Sequence, residues 1–202
     1  MHFNLHKLAF DIFSLCFKLG IVLDIQWVPR SLNDKADYLS KIIDYDDWEL
    51  APEFFQQLDG LWGPYTVDCF ASYYNKKVPK YFSRFWNPAT SGVDAFFQDW
   101  RGENCLLVPP IPILSKVLIF MFRSRASGTF IAPHWPSAPF WPLLVNRFWS
   151  FVVDYAFFEG ALALRLGHNT NSLLGSSSWN GFIIAVKLNF SDGVITSQLD
   201  RT

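Results

Sequence analysis

Cys105-Leu106-Leu107-Val108-Pro109-Pro110-Ile111-Pro112-Ile113-Leu114-Ser115-Lys116-Val117-Leu118-Ile119-Phe120-Met121-Phe122 is the stretch that decides the fold. Cys105 to Val108 reads as a strand, and Pro109-Pro110 ends it because proline gives a ladder no donor. Leu114 to Phe122 reads as a helix, and Gly128 to Ala132 as the strand that follows it. Working outward, Tyr65 to Phe70 is an earlier strand and Asn180 to Phe190 alternates well enough for a final one. Pro52 at a first helical turn opens a short helix, Glu53 to Leu58, with Phe54, Phe55 and Leu58 for its buried face. Pro136 to Leu144 predicts a short helix ahead of the stretch from Asn146 to Val152. Asn75 to Pro88 has no clear period and reads as a long loop, as does the Gly-, Ser- and Asn-rich segment from Gly167 to Ser178. Strand and helix take turns, which predicts an α/β layered domain with a mostly parallel sheet. No internal repeat is evident.

Composition bounds the classes. The 202 residues suit one medium domain, or a fragment joined to a domain. Half of them are hydrophobic, and 9 Trp with 21 Phe supply material for a large core. A net charge of −1 argues against a free-standing, non-specific DNA binder. Cys16, Cys69 and Cys105 are widely spaced with no CxxC pair, which argues against a disulfide framework or zinc site and for a reducing compartment. The N-terminus lacks a signal peptide's design. Leu106 to Phe122 is the most apolar run, but Pro109, Pro110, Pro112 and Lys116 interrupt it, short of the ~18 apolar residues a membrane span needs. These features predict a soluble, intracellular protein, cytoplasmic or nuclear, with no membrane partner.

The N-terminal quarter reads differently. Leu5, Leu8, Ala9, Ile12, Phe13, Cys16 and Leu19 form one helical stripe that Gly20 ends. Ile21 to Val28 reads as a strand that Pro29 stops, and Asn33 begins a helix carrying Asp37 one turn in. Asn-Asp-Lys-Ala-Asp is also an ordinary capped helix start. The order helix, strand, acid-bearing helix, with Trp27-Val28-Pro29-Arg30, Asn33, Ala36-Asp37 and Leu39-Ser40, resembles the end of an RNase H domain in retroelement reverse-transcriptase polyproteins. That resemblance implies two-metal hydrolysis with Mg²⁺, which needs several carboxylates around paired ions. Asp37 is the matching catalytic and metal-binding residue. The other family carboxylates belong ahead of Leu5, so an incomplete site is expected. Asp44, Asp46, Asp47 and Glu49 then read as an exposed linker or simply a solvated face. The domain expectation is a remnant over 1–48, an α/β domain over 49–190 and a tail over 191–202.

The second region has its own landmarks: Asp68-Cys69-Phe70-Ala71, Asn75, Tyr81-Phe82-Ser83, Gly92-Val93-Asp94-Ala95-Phe96, Trp100, the strand into Pro109-Pro110, and Pro133-His134-Trp135-Pro136. Their order is similar to the Rossmann-like, methyltransferase-like domain that follows RNase H in DIRS-like tyrosine-recombinase retrotransposons, and more distantly to phage DNA adenine methyltransferases. The resemblance implies a base-recognition loop at Val108, Pro109, Pro110 and Ile111, where the family has Asn-Pro-Pro-Tyr. Its Asn and proline carbonyl accept from the adenine amino group while the aromatic ring stacks on the flipped base. Val108 cannot accept a hydrogen bond and Ile111 cannot stack, so the loop reads as degenerate. A Pro-Pro pair also serves as a rigid strand-to-helix turn. Asp68 reads as a holder of a cofactor hydroxyl or ammonium, or as a capped loop start. S-adenosylmethionine is expected only if this site is intact, and the expectation is no cofactor.

Lys76, Lys77, Lys80 and Arg84, interleaved with Tyr73, Tyr74, Tyr81, Phe82 and Phe85, have the composition of a nucleic-acid groove. They equally describe core aromatics with solvated cations between them. His134 reads as a turn residue, and Phe140, Trp141, Phe148, Trp149 and Phe151 as core. The sequence therefore predicts a fragment of a retroelement reverse transcriptase/RNase H polyprotein, inactive alone, with residual affinity for DNA or an RNA–DNA hybrid. The rest of the polyprotein is its other expected partner. The alternatives are a non-catalytic nucleic-acid-binding module and an S-adenosylmethionine-dependent adenine methyltransferase with an altered loop.

Overall fold

Asn104–Leu107 is the hinge of the architecture. Cys105, Leu106 and Leu107 are all fully buried, because neighbouring strands and packed layers cover both of their faces. The computed structural model describes residues 5–27, 29, 48–167, 172–176 and 178–191. In chain order the elements are α1 (Leu5–Leu19), β1 (Trp48–Leu50), α2 (Pro52–Trp62), β2 (Val67–Asp68), β3 (Phe82–Ser83), β4 (Gly92–Val93), β5 (Asn104–Leu107), α3 (Leu114–Ser124), β6 (Ser127–Pro133), α4 (Phe140–Pro142), β7 (Val152–Glu159), α5 (Gly160–Ala163), β8 (Leu164–Leu166) and β9 (Phe182–Asn189). The chain divides into two units, Met1–Ile42 and Ile43–Thr202.

The second unit is built on a five-stranded sheet of order β2-β5-β6-β9-β7. β2, β5 and β6 run parallel, and β9 and β7 each pair antiparallel with their neighbour. The sheet is thus mixed, where a mostly parallel one was expected. The difference lies in β9, which runs antiparallel to both β6 and β7, and the sequence gives no sign of the edge strand β7. Its outward residues Val153, Tyr155 and Phe157 stay exposed, so it lacks a buried strand's continuous apolar signature.

The two faces carry separate cores. One gathers Cys105, Leu107, Phe130, Ile184 and Val186 under α3 and the Phe140–Phe151 segment. The other gathers Leu106, Ile131, Ile183 and Ala185 under α2, β1 and β8. Odd and even residues of one strand go to opposite cores, as the period of two requires. α3 buries Leu114, Val117, Leu118 and Met121, the i, i+3, i+4, i+7 stripe of a surface helix. α2 starts on Pro52 and buries Phe54 and Leu58. Gly128 faces Cys105 across the β5–β6 ladder, where a Cβ would overlap the Cys105 carbonyl, so the closeness of the strands needs glycine.

Two expectations change here. Residues 21–27 form no strand, although Ile21 to Val28 reads as one. A strand exists only as part of a ladder, and none of these residues has one. Within its own unit, α1 leaves Leu8, Ile12 and Phe13 exposed along its apolar stripe. Glu49, expected in an acidic linker, lies in β1 and pairs with Lys77 at 3.4 Å. Asp37, Asp44, Asp46 and Asp47 lie outside the described residues. No helix among the described residues is long and apolar enough to cross a membrane.

Candidate functional site

A cavity of about 410 Å³ opens beyond the carboxyl ends of β2 and β5. Ligand sites of open α/β sheets gather outside the carboxyl ends of parallel strands, where the connecting loops leave the sheet. Its size falls in the range of small-molecule sites, about 300–1,000 Å³. The loop after β2 supplies Phe70 and Ser72, and β3 with its following residue supplies Phe82, Ser83 and Arg84. Asp94 and Phe96 follow β4, while Val108 and Pro110 follow β5. Lys116 enters from the first turn of α3. The expected base-recognition loop therefore contributes Val108 and Pro110 to the wall. Ile111 packs against both hydrophobic cores instead, which gives its aliphatic side chain a structural role.

Asp68 does not line the cavity. It is 3 % exposed and accepts from the Lys77 amide at 3.1 Å, with the Phe70 amide as a second donor. These amides close the loop from 69 to 77, the capped loop start the sequence allows. Burial pushes the Asp68 carboxyl up to about 6, and the two amides offset part of that rise. Asn75 braces the same loop by accepting from the Ser72 amide at 2.6 Å.

The four expected cations do not form one groove. Lys76 lies over the Tyr73 and Tyr81 rings at 5.3 and 4.8 Å. Lys77 pairs with Glu49, and Lys80 with Glu103 at 2.6 Å. The Lys80 ammonium, followed by the Thr66 hydroxyl, holds the Glu103 carboxyl below its ordinary value. Arg84 alone of the four reaches the cavity, with its guanidinium 5.3 Å from the Phe85 ring.

Two residues that the sequence left without a role complete the site. Lys116, read only as an interruption of an apolar run, sets its ammonium 3.6 Å from the Phe96 ring centroid. A cation over an aromatic face is attracted by the ring quadrupole, which draws the Lys116 ammonium toward the Phe96 ring. Asp94, read only as a landmark, has φ 55, a value that L residues rarely adopt. Its Oδ1 accepts from the Phe96 amide at 3.0 Å. Both charged groups are thereby tethered to Phe96, whose ring packs on Phe70, Trp100 and Phe120. Trp100 is fully buried and donates its indole N–H to the Ala95 carbonyl at 2.8 Å. The result is a largely apolar pocket whose described lining carries one carboxylate and two cations.

His134 packs between Trp141 and Phe157, tilted against the first ring and edge-on to the second, with 4.9 Å between centroids in each case. Among the described residues, no three His, Cys, Asp or Glu side chains converge as a metal site. No protein-family model matches the chain, and no curated protein matches it either.

Proposed function

We propose that residues 49–190 are a methyltransferase-like module of a DIRS-like retroelement polyprotein, and that this module binds nucleic acid without transferring a methyl group. The observation that carries this reading is the cavity at the carboxyl ends of β2 and β5, walled by Val108 and Pro110. In this reading a base leaves its stack and enters between apolar side chains, while Arg84 and Lys116 attract the phosphates beside it. The segment from Gln26 to Lys41, with Asp37, supports the retroelement origin through its likeness to the end of an RNase H domain.

The chemistry of the wall argues against transfer. Methylating an adenine amino group requires acceptors that strengthen as the nitrogen becomes positive. Val108 offers none, and Ile111 offers no ring to stack on the base. Asp68, the residue matched to cofactor binding, has its carboxylate directed at two loop amides. An assay with labelled S-adenosylmethionine and adenine-containing DNA tests this directly. The expected result is no methyladenine from the full chain. Methyladenine that disappears in Asp68→Ala would overturn the reading.

A further inference from the structure

α1 carries an apolar seam that its own unit leaves open. Leu8, Ile12, Leu15 and Leu19 follow one another at steps of four, three and four, and each is 45 % to 60 % exposed. Those steps average about 3.5 residues, the repeat that keeps an apolar row against a partner helix. A polar row of Lys7, Asp11, Ser14 and Lys18 runs beside it at the same steps, one residue earlier, and all four are exposed. A helix of 15 residues is marginal alone in water, so its stability depends on what covers that seam.

We infer that α1 pairs with α1 of a second copy of this chain, antiparallel, with Asp11 of each copy against Lys18 of the other. The inference goes beyond the nucleic-acid reading and does not depend on it. Charge decides both the partner and the direction. Two copies of the seam related by a two-fold axis stack Leu8 on Leu19 and Ile12 on Leu15, each pair twice, which closes four layers. The axis falls between residues 13 and 14. Asp11 and Lys18 border the seam on the same side, so each acid meets the opposite base across the axis, and one sequence complements itself. A parallel pair would set Asp11 toward Cys16 and Lys18 toward a position beyond the helix end at Leu19, which leaves both charges unmatched. Phe10, Phe13 and Phe17 form another apolar row on the opposite flank, where Phe13 and Phe17 stack on each other at 6.4 Å. Lys7 and Ser14 border that row and offer Lys7 no acid, so the leucine seam is the self-complementary one.

Sedimentation equilibrium of the full chain over a micromolar concentration series tests this. The expected result for wild type is a reversible monomer–dimer equilibrium. Asp11→Lys sets lysine against lysine at both contacts and should raise the dimer dissociation constant about tenfold, as should Lys18→Asp. The double variant exchanges the charges and should return the constant to that of wild type. Salt at 1 M should narrow the gap between wild type and the single variants, because exposed pairs are screened. Ile12→Asp places a carboxylate in the central layers and should leave only monomer. All three positions are exposed in α1, and an unchanged near-ultraviolet circular dichroism would show the packed tryptophans undisturbed. A monomer at every concentration overturns the inference. So does a dimer indifferent to Asp11→Lys and Lys18→Asp, or a double variant that dissociates as readily as the single ones. Association that persists in Ile12→Asp would place the contact on another surface and overturn it as well.

Discussion

At the scale of single residues, the charges that matter most are those held away from water. Asp68 is buried, and its carboxyl rises to about 6 from an ordinary 3.8 because burial disfavours the charged form. The folded state therefore binds a proton more readily than the unfolded chain between those two values. Stability from this group is present below about pH 4 and is lost as pH rises through about 6. Two pH units of difference correspond to about 3 kcal/mol. Urea unfolding of wild type and Asp68→Asn should therefore show wild type losing roughly that much, relative to the variant, between pH 4 and pH 6.5. Parallel pH profiles for the two proteins would contradict it. Trp100 is the neutral counterpart: fully buried, with its indole N–H satisfied and its ring against Phe70, Phe96 and Phe120. Trp100→Ala should cost about 3–5 kcal/mol in the same measurement, as large aromatic truncations in cores do.

At the scale of elements, caps and ladders explain what could be read ahead of the structure. α3 ends at Arg125, a non-glycine residue in the left-handed region at φ 53 and ψ 43, whose amide bonds back to the Met121 and Phe122 carbonyls. Glycine pays no Cβ penalty there, so Arg125→Gly should stabilise the protein by about 0.5–1 kcal/mol in thermal unfolding. A lowered Tm would contradict that account of the helix end. The unit from β5 through α3 to β6 was legible, because an apolar run, a proline stop and a helical stripe each report their own element. β7 was not, since its outward residues Tyr155 and Phe157 are exposed on an edge strand and give neither a buried run nor a clean apolar-polar alternation. β3 and β4 have two residues each and pair in parallel across a connection, which leaves no periodicity to detect. Conversely, Ile21 to Val28 has a strand's composition, but residues 21–27 have no ladder to join. The site divides in the same way. Asp68 and the Pro109-Pro110 turn announced themselves by residue type, whereas a positive φ at Asp94 and the ring beneath Lys116 exist only in three dimensions.

At the scale of the molecule, the described residues of both hydrophobic cores run from Trp48 to Phe190. Residues 43–202 expressed alone should therefore unfold cooperatively and keep the near-ultraviolet signal of their packed tryptophans. A molten, non-cooperative product would show that these cores are insufficient. The chain's near-neutral charge of −1 makes any affinity for nucleic acid a local property of the cavity rather than a field of the whole surface. That places a bound on its salt dependence. Among the described residues two cations line the cavity, Arg84 and Lys116, and single-stranded binding releases about 0.7 counterion per neutralised phosphate. Fluorescence anisotropy of a labelled single-stranded oligonucleotide, titrated with the full chain across a series of salt concentrations, is the most direct test. The account predicts saturable binding whose logarithmic salt slope is shallow, about −1.4, and roughly halves in Lys116→Met. Binding that is absent at low salt, or a slope unchanged by the loss of Lys116, would contradict it.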